Sequence, residues 1–553
     1  MVSLRVDLRR SLVLGAVVAL TLAAVIPVVA EDDIQVPVTH QVRGLPLVGA
    51  AGSGSAGVSS FKNVSGLLCS TATSNAANVN TDCEGRPHNE TSIAVNPTNS
   101  LNMVSAANDY QLRLSPGGYI YETAYTRAHV TFDGGKTWAE YGIRYRSYIT
   151  TGDPGLAFDA DGTVYSSTLG FLWSQGLGCC TAPDILVAHS TDGGKTWSDP
   201  SKVATGTGNF TSVSRNVLDK EAITAWGHGN AMVTWTKYND GQHGSYISSP
   251  IMASVTHDGG KTWSTPAEIS GSAAFCIGAT GGTKCNQDQG SVPVVGADGF
   301  VYVSFMNFAE PTTTGRDQYL VVRVDPTTGH RVAGPWKVSL IYDGFTDMPI
   351  AGGRPTYQDS QFRSWSFGNI ASDPTTAGHL AVVWYDMRNS TLPAPADPYA
   401  AATNSDVIVS QSWNGGVTWS APKALTIARD QFQGWAAYDT DGLLRIGFFD
   451  RSYDAANHKY GYTLATESSS GSLTFAMSQL TTVLSDPTKN DRWFSGATPN
   501  PAFPHPTTFL GDYSGIAANP AGGVVAVWTD MRESITFAGR TGADEDMFFA
   551  AAP

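Results

Sequence analysis

Three segments in the second half of the chain place an aspartate just ahead of an arginine. They are Tyr385-Asp386-Met387-Arg388, Phe449-Asp450-Arg451 and Thr529-Asp530-Met531-Arg532. A guanidinium group binds a carboxylate through paired donors, so several arginines directed into one site would suit an anionic sugar. The alternative is that each arginine pairs with its neighbouring acid, which the repetition of the pattern favours. The elements that carry these segments decide between the two.

The strongest pattern in the chain is a turn that occurs four times. The four copies are Thr131-Phe-Asp133-Gly-Gly-Lys-Thr-Trp138, Ser190-Thr-Asp192-Gly-Gly-Lys-Thr-Trp197, Thr256-His-Asp258-Gly-Gly-Lys-Thr-Trp263 and Ser412-Trp-Asn414-Gly-Gly-Val-Thr-Trp419. Each copy follows an apolar strand. The Asp or Asn side chain accepts hydrogen bonds from turn amides, glycine supplies positive φ, and the Trp ring covers the turn. The pattern predicts a turn that closes a β-hairpin.

These four turns resemble the Asp box, the bacterial neuraminidase repeat, whose pattern is Ser-x-Asp-x-Gly-x-Thr-Trp. In that group the motif joins the two outer strands of a propeller blade. The resemblance implies an all-β fold, a sialidase-like β-propeller of four-stranded antiparallel blades. It is specific for architecture and says much less about activity.

A second repeat, an apolar strand, a turn and another apolar strand, occurs seven times. Its copies cover residues 92–105, 155–165, 222–234, 293–303, 369–383, 437–447 and 515–526. The last copy is followed by one strand at residues 546–549 and has no room for a fourth. A strand from before Arg86 would complete that blade and close the ring, which removes exposed sheet edges. We therefore expect seven blades, with six as the alternative.

In a propeller, the inner strands start and the second strands end on one face, around the channel, opposite the repeated turns. The inner-strand starts carry Asn89-Glu90, Asp153, Asp219-Lys220-Glu221, Asn286 with Gln289, Asn369, Gln433 with Trp435, and Asp512-Tyr513. The second-strand ends carry Asn108-Asp109-Tyr110, Asn307 and the three Asp/Arg segments. We expect these residues to converge on one polar rim.

The sialidases of this architecture hold the substrate carboxylate with three arginines and use a Tyr nucleophile with a Glu partner and an Asp acid/base. A Tyr nucleophile avoids repulsion from a carboxylate at the anomeric centre. The resemblance implies Tyr513 as nucleophile, Glu221 or Glu90 as its partner, and Asp153 or Asp109 as proton donor. The implied substrate-binding residues are Arg388, Arg451 and Arg532 with Asp386, Asp450, Asp530 and Asp512. A tyrosine that is buried and hydrogen-bonded to Asp512 is the alternative for Tyr513.

Two features depart from the sialidase pattern. The Phe-Arg-Ile-Pro-type motif is missing, since Arg86-Pro87 lacks its spacing, and seven repeats exceed the six blades of that family. The sequence still predicts a sialidase-like glycoside hydrolase that acts on terminal sialic or related acidic sugars. One alternative is a non-catalytic cell-surface propeller that binds glycan or protein. Another is a different polysaccharide-active propeller enzyme, which stacked aromatics such as Trp365, Trp435 and Trp493 would indicate.

The ends and cysteines of the chain predict export. Arginines precede an apolar stretch from Ser11 to Val29, so residues 1–30 are expected to be a signal peptide cut after Ala30, with an uncleaved membrane anchor as the alternative. Residues 31–60 are expected to be a linker and 61–553 the propeller. The six cysteines fall in close pairs, Cys69 with Cys83, Cys179 beside Cys180 and Cys276 with Cys285, and local disulfides are expected for the first and last.

Charge and composition limit the partners. The formal net charge is −14 and no basic patch is visible, which argues against a nucleic-acid partner. We expect a monomer that binds a glycan and needs no cofactor. The turns at Asp159-Ala-Asp161 and Asp439-Thr-Asp441 carry oxygen ligands suited to Ca²⁺, but neither matches an EF-hand loop, and solvated turns are the simpler interpretation.

Overall fold

The protein is an all-β propeller of seven four-stranded antiparallel blades, as the seven inner repeats predict. The computed structural model describes residues 65–68, 77–82, 87–114, 120–172, 181–208, 212, 214–279, 281–308, 316–343, 347–351, 354–358, 360, 362–390, 402–487, 509–537 and 540–553. Within these ranges, no helix has the length and apolar character needed to cross a membrane. The expected signal peptide and linker lie outside them.

The blades follow one another along the chain, and the strands of each blade are named from the channel outward. Blade 1 contains His88–Val95, Met103–Leu114, Ile120–Thr131 and Ala139–Gly142, with Ser65–Leu68 as a fifth strand at its edge. Blade 2 contains Thr150–Phe158, Val164–Phe171, Asp184–Ser190 and Ser201–Ala204. Blade 3 contains Arg215–Trp226, Asn230–Asp240, Ile251–Thr256 and Ala267–Glu268, with the short strand Tyr246–Ser248 beside its second strand. Blade 4 contains Asp288–Val295, Val301–Asn307, Gln318–Val324 and Arg331–Leu340.

The remaining three blades complete the ring. Blade 5 contains Asn369–Ser372, Leu380–Asp386, Asp406–Ser412 and Lys423–Ala424. Blade 6 contains Gln431–Tyr438, Leu444–Asp450, Gly461–Glu467 and Phe475–Gln479. Blade 7 contains Gly515–Ala518, Val524–Asp530, Asp546–Ala552 and Val79–Asn80. Two small hairpins, Ile350–Ala351 with Arg354–Pro355 and Ser534–Phe537 with Arg540–Ala543, lie outside the blades.

The core lies between neighbouring blades. The second and third strands are near-continuous apolar runs because both of their faces are covered by adjacent blades. One buried cluster joins Val383 of blade 5, Phe448 of blade 6 and Trp528 of blade 7. Because each blade buries its faces only against its neighbours, the ring holds the inner strands in fixed positions around the channel.

The ring is closed by the N-terminal strand, as predicted. Val79 and Asn80 pair with Phe549 and Phe548 on the last strand of the chain. The next residue continues the contact, since the Thr81 amide donates to the Met547 carbonyl at 2.9 Å. The seventh blade therefore contains strands from both ends of the described chain.

The four repeated turns join the third and fourth strands of blades 1, 2, 3 and 5, which are the outer strands of each blade. In the first of them, the Asp133 carboxylate accepts the Lys136 amide at 3.0 Å, and the Thr137 amide at 2.9 Å and hydroxyl at 2.7 Å. The Trp138 indole donates to the Gly135 carbonyl at 3.1 Å. These hydrogen bonds are satisfied inside the turn, so the motif serves the fold.

One expected disulfide is present. Cys276 and Cys285 are bonded and close the loop that precedes blade 4. The other four cysteines, Cys69, Cys83, Cys179 and Cys180, lie outside the described residues.

Candidate functional site

The inner strands of blades 1, 2, 3, 4 and 6 share a bulge that aims side chains at the mouth of the channel. In blades 1, 2 and 3 the strand register shifts at Asn89/Ser92, Gly152/Gly155 and Asp219/Ala222. Inside each shift stands a residue with positive φ: Glu90 at 55°, Asp153 at 57° and Lys220 at 52°. Positive φ is costly for a side chain other than glycine and persists where the surroundings enforce it, often at functional sites.

The same bulge recurs in blades 4 and 6, where Gly290 and Gln433 take the positive φ. The Gln433 amide donates to the Gly511 carbonyl at 2.5 Å and so connects blade 6 to the start of blade 7. Equivalent positions on successive blades thus point toward one axis. The bulge converts a repeat in the sequence into a cluster of side chains.

Lys220 is the centre of that cluster. Its ammonium group lies 3.0 Å from Glu90 Oε1, 3.2 Å from Asp153 Oδ2 and 2.5 Å from Asp512 Oδ2. The side chains of all four residues are at least nine-tenths buried. Asn108 holds two of the acids from the second strand of blade 1, since its amide donates to Glu90 Oε2 at 2.8 Å and its carbonyl accepts the Asp153 amide at 2.7 Å.

Arg363 closes the cluster from outside the blade repeat. It lies on the connection between blades 4 and 5 and binds Asp512 with two parallel hydrogen bonds, Nε to Oδ1 at 2.9 Å and Nη2 to Oδ2 at 2.6 Å. Its guanidinium also covers the Phe509 ring at 4.6 Å. Asp512 is therefore shared between two cations, and this connection is fixed across the ring to blade 7.

The cluster shifts the pKa values of its acids in opposite directions. Burial would raise the pKa of Asp512, but Arg363 and Lys220 outweigh burial and hold this pKa well below its usual value. The pKa of Glu90 is raised, first by burial and then by the charge of Asp153, to which its carboxyl also hydrogen-bonds. Burial would lower the pKa of Lys220, but the surrounding carboxylates raise it well above its usual value. Acids with opposite shifts side by side are the pattern of acid/base pairs in catalysis.

Tyr513 and Glu221 line the cavity beside this cluster. The cavity runs along the channel between the inner strands of all seven blades and has a volume of about 330 Å³. No residue in the described part of the chain hydrogen-bonds to the Tyr513 hydroxyl; its ring contacts Trp435, with centroids 5.8 Å apart, and Lys220, at 6.0 Å. Neither Glu221 carboxyl oxygen accepts a hydrogen bond from another described residue, although the side chain is buried.

The electrostatics of these two groups follow from their surroundings. Burial raises the pKa of Glu221, and the nearby charge of Asp153 raises it further. Burial also raises the pKa of Tyr513, as do the carboxylates of Glu90 and Asp153. Both shifts favour the protonated form of the group, the carboxylic acid of Glu221 and the phenol of Tyr513.

The structure thus brings Tyr513, Glu221, Glu90, Asp153 and Asp512 of the sequence-predicted residues to one place. It puts Asp109 elsewhere, inside blade 1. There the Asp109 carboxylate lies 3.0 Å from Arg127 Nε and 3.6 Å from His88 Nε2.

The three arginines predicted to bind substrate each lie against an acid. Arg388 contacts Asp386 at 2.7 Å, and Arg532 contacts Asp530 at 2.6 Å. Both contacts match the alternative in which each arginine pairs with its neighbouring acid. Arg451 is fully buried and pairs with Asp430 instead of the adjacent Asp450. Asp450 accepts hydrogen bonds from other groups, namely the Thr463 hydroxyl, the Gln431 amide and the Ser452 backbone amide.

The other sequence-predicted features are placed as follows. Trp435 lines the cavity, Trp365 is buried against Phe308, and Trp493 lies outside the described residues. Asp159 and Asp439 each accept backbone amides of their own turn, which is the behaviour of a turn-closing residue. Among the residues that the structure describes, no group of three or more His, Cys, Asp or Glu side chains is arranged to hold a metal ion.

Lys220 and Arg363 are the site residues that sequence reasoning did not assign. Lys220 stands at the same bulge position as Glu90 and Asp153, so aligning the inner strands by their bulges would have found it. Arg363 lies outside every repeat, and its contact with Asp512 spans 149 residues of sequence. No pattern in the chain signals it.

Comparison with known proteins gives no family for this chain. No protein-family model matches it, and no curated protein matches it. A protein of unknown function from Dyadobacter fermentans is 12% identical with a TM-score of 0.40, over 86% of this chain and 98% of that one. The NanB sialidase of Streptococcus pneumoniae is 8% identical with a TM-score of 0.38, over 81% and 83%. An α-L-arabinofuranosidase from Fusarium graminearum is 12% identical with a TM-score of 0.38, over 88% and 97%; at this distance such likeness concerns the fold alone.

Proposed function

We propose that this protein is a glycan-acting propeller enzyme that hydrolyses a glycosidic bond at the mouth of its channel. The observation that carries the proposal is the pairing of two uncommitted groups, the Tyr513 hydroxyl and the Glu221 carboxyl, on one cavity wall. They lie beside the Glu90–Asp153 carboxyl pair, which can take up or release a proton. A purely structural glutamate that is buried to this extent would be hydrogen-bonded to neighbours.

The reaction follows from these positions. Tyr513 Oη attacks the anomeric carbon and gives its proton to the neighbouring carboxylates, while protonated Glu221 donates its proton to the leaving oxygen. Water then releases the sugar from Tyr513, with the Glu221 carboxylate as base and the phenol regaining its proton. Lys220 limits the repulsion between the acids and so keeps them close to the phenol.

The acidic-sugar specificity expected from sequence stays a prediction that needs its own assay. It depends on arginines directed at a substrate carboxylate, and Arg388, Arg451 and Arg532 each contact an acid of the protein. The local pairing of these arginines is also what a non-catalytic propeller predicts. The uncommitted Tyr513 and Glu221 favour the enzyme.

Hydrolysis of a panel of fluorogenic glycosides, a sialoside included, tests the proposal. We expect one or more glycosides to be cleaved, and Tyr513→Phe or Glu221→Gln to lower kcat by at least about 100-fold, the usual contribution of a positioned proton donor. Tyr141→Phe and Glu268→Gln, on outer strands of blades 1 and 3, are the matched controls and should leave kcat unchanged. Unchanged turnover in both site variants, or no release from any glycoside or polysaccharide, would refute the proposal.

We also propose that the protein works outside the cell as a monomer. The signal-like N-terminus and the Cys276–Cys285 disulfide support export, since disulfides persist in oxidising compartments. Fractionation of the producing cells with an antibody, followed by mass measurement of the mature protein by light scattering, tests both statements. Protein retained in the cytoplasm, or a stable oligomer, would contradict them.

A further inference from the structure

The cations of the candidate site are both occupied by acids of the site. Lys220 contacts three carboxylates at 2.5 to 3.2 Å, and Arg363 holds both oxygens of Asp512. Glu221 adds a fourth carboxyl group. The site therefore holds four acidic side chains against two basic ones, and neither basic one is open to a ligand.

A ligand carboxylate has no favourable partner in such a site. It would enter a low-dielectric cavity beside several acids, and it would have to displace Asp512 or Glu90 to reach a cation. Burying a charge without a partner is unfavourable, and like charges nearby add to that cost. An anionic sugar is disfavoured on both counts.

Glu221 indicates which ligand groups the site accepts. Glu221 lines the cavity, its side chain is about 95% buried, and neither carboxyl oxygen has a donor from the described residues. A buried acceptor left without a donor is destabilising, and a ligand that supplies the donor recovers that loss. Adjacent sugar hydroxyls supply two such donors side by side. The half-buried Trp435 ring on the same wall offers an apolar face for a sugar ring.

We infer that the sugar bound at this site is an uncharged ring whose adjacent hydroxyls donate hydrogen bonds to Glu221 while the ring packs on Trp435. The inference rests on the proposed function, because it names the substrate class of the same site. It replaces the acidic sugar expected from sequence with a neutral one. The selectivity comes from the site's own acids, since they engage both Lys220 and Arg363 and leave a ligand carboxylate without a cation to bind.

Direct binding to matched sugars tests the inference without any need for turnover. Titration calorimetry of the full chain would compare glucosides and galactosides with the corresponding glucuronides and galacturonides, which differ only in a carboxylate at C6. Sialic acid, 2-amino sugars, and neutral and acidic polysaccharides complete the panel. We expect a neutral member to bind at least about 10-fold more tightly than its acidic counterpart.

Two variants and a control locate the effect. Glu221→Ala should weaken binding of the neutral sugar by at least about 10-fold, whereas Glu268→Ala on the outer edge of blade 3 should not change it. Asp512→Asn removes one acid from both cations and should narrow the difference between neutral and acidic sugars. Circular dichroism and melting curves establish that each variant is folded.

The outcomes separate the inference from the proposed function. Tighter binding of the acidic member of a pair, of sialic acid or of an amino sugar would overturn the inference, as would a panel in which no neutral glycan binds. Cleavage of a sialoside or glucuronide in preference to neutral glycosides would support hydrolysis and overturn the substrate class. Selective binding of neutral sugars without cleavage of any glycoside would support the substrate class and overturn the proposed hydrolysis.

Discussion

Replacing Lys220 with methionine should destabilise the protein in a pH-dependent way. At about 3 Å and an effective dielectric constant of about 20, each of its three carboxylate contacts is worth roughly 5 kcal/mol of attraction. Desolvation of the buried ammonium group cancels most of that. Removing one partner of a buried ion pair typically costs about 3 to 5 kcal/mol, because the remaining charges stay buried. We expect a loss in this range at pH 7.

The expected fall in melting temperature is small because the chain is long. With an unfolding entropy of about 2 cal/mol/K per residue over 553 residues, a loss of 4 kcal/mol lowers Tm by roughly 3 to 4 °C. The quantity is measurable by calorimetry or by denaturant titration of the mature protein. Lys202→Met is the matched control: the Lys202 side chain is about half exposed and its ammonium group lies 3.5 Å from Asp184, so the substitution should cost under about 1 kcal/mol.

The pH dependence gives the direction of the effect. Lys220 lowers the pKa of both Glu90 and Asp512, so both pKa values are higher in the variant than in wild type and the native state of the variant binds more protons. Stability then falls as pH increases through the carboxyl range, and the difference from wild type should be small near pH 4 and full near pH 7. The reasoning would be refuted by a free energy of unfolding within about 1 kcal/mol of wild type at pH 7. It would also be refuted by a loss of stability that is equal at pH 4 and pH 7.

Three further predictions concern the fold. Cys276→Ser opens a disulfide that spans nine residues and should lower the free energy of unfolding by about 2 to 3 kcal/mol in denaturant titrations; an unchanged midpoint would contradict it. Gly135→Ala should destabilise by about 1 to 3 kcal/mol more than Gly259→Ala, because both glycines have positive φ but a Cβ at Gly135 would lie 2.1 Å from the Phe549 ring; equal melting temperatures would argue against this clash. His129 should stay neutral well below pH 6, because burial and the neighbouring His88 imidazole lower its pKa to about 3. Its contribution to the free energy of unfolding should therefore fall as pH decreases from about 6.5 toward 3. A proton NMR titration midpoint of this ring above pH 5 would contradict the prediction.

The architecture was largely predictable because the sequence repeats the same strand and turn pattern in each blade. Seven copies of one strand pair predict seven blades, and the missing strand in the last copy predicts closure by the N-terminal region. These are statements about backbone pattern, which strand periodicity and turn residues such as Asp133 and Gly135 encode locally. The structure confirms the architecture, and it satisfies the hydrogen bonds of the repeated turns as the sequence implies.

The candidate site was predictable only where it follows the repeat. Glu90, Asp153 and Tyr513 were found as polar residues at inner-strand starts, because every blade brings that position to the axis. Lys220 was expected on the same rim but was given no role, because a bulge, which no local propensity signals, places it at the centre of the acids. Arg363 depends on a contact between distant parts of the chain, and such a contact is set by packing and by the complementary charge of Asp512.

The closure of the ring also sets the order in which this chain can finish folding. Thr81 and Met547 are hydrogen-bonded across 466 residues of sequence, so the contact waits for synthesis or translocation of nearly the whole chain. Blades 1 to 6 each contain strands from one continuous segment and can form as that segment emerges. Until the last strand arrives, the short strand Val79–Asn80 has no partner and the first blade has one uncovered face. The late species is an open arc with two exposed ends, and it is the stage at which chaperones or aggregation would act on this protein.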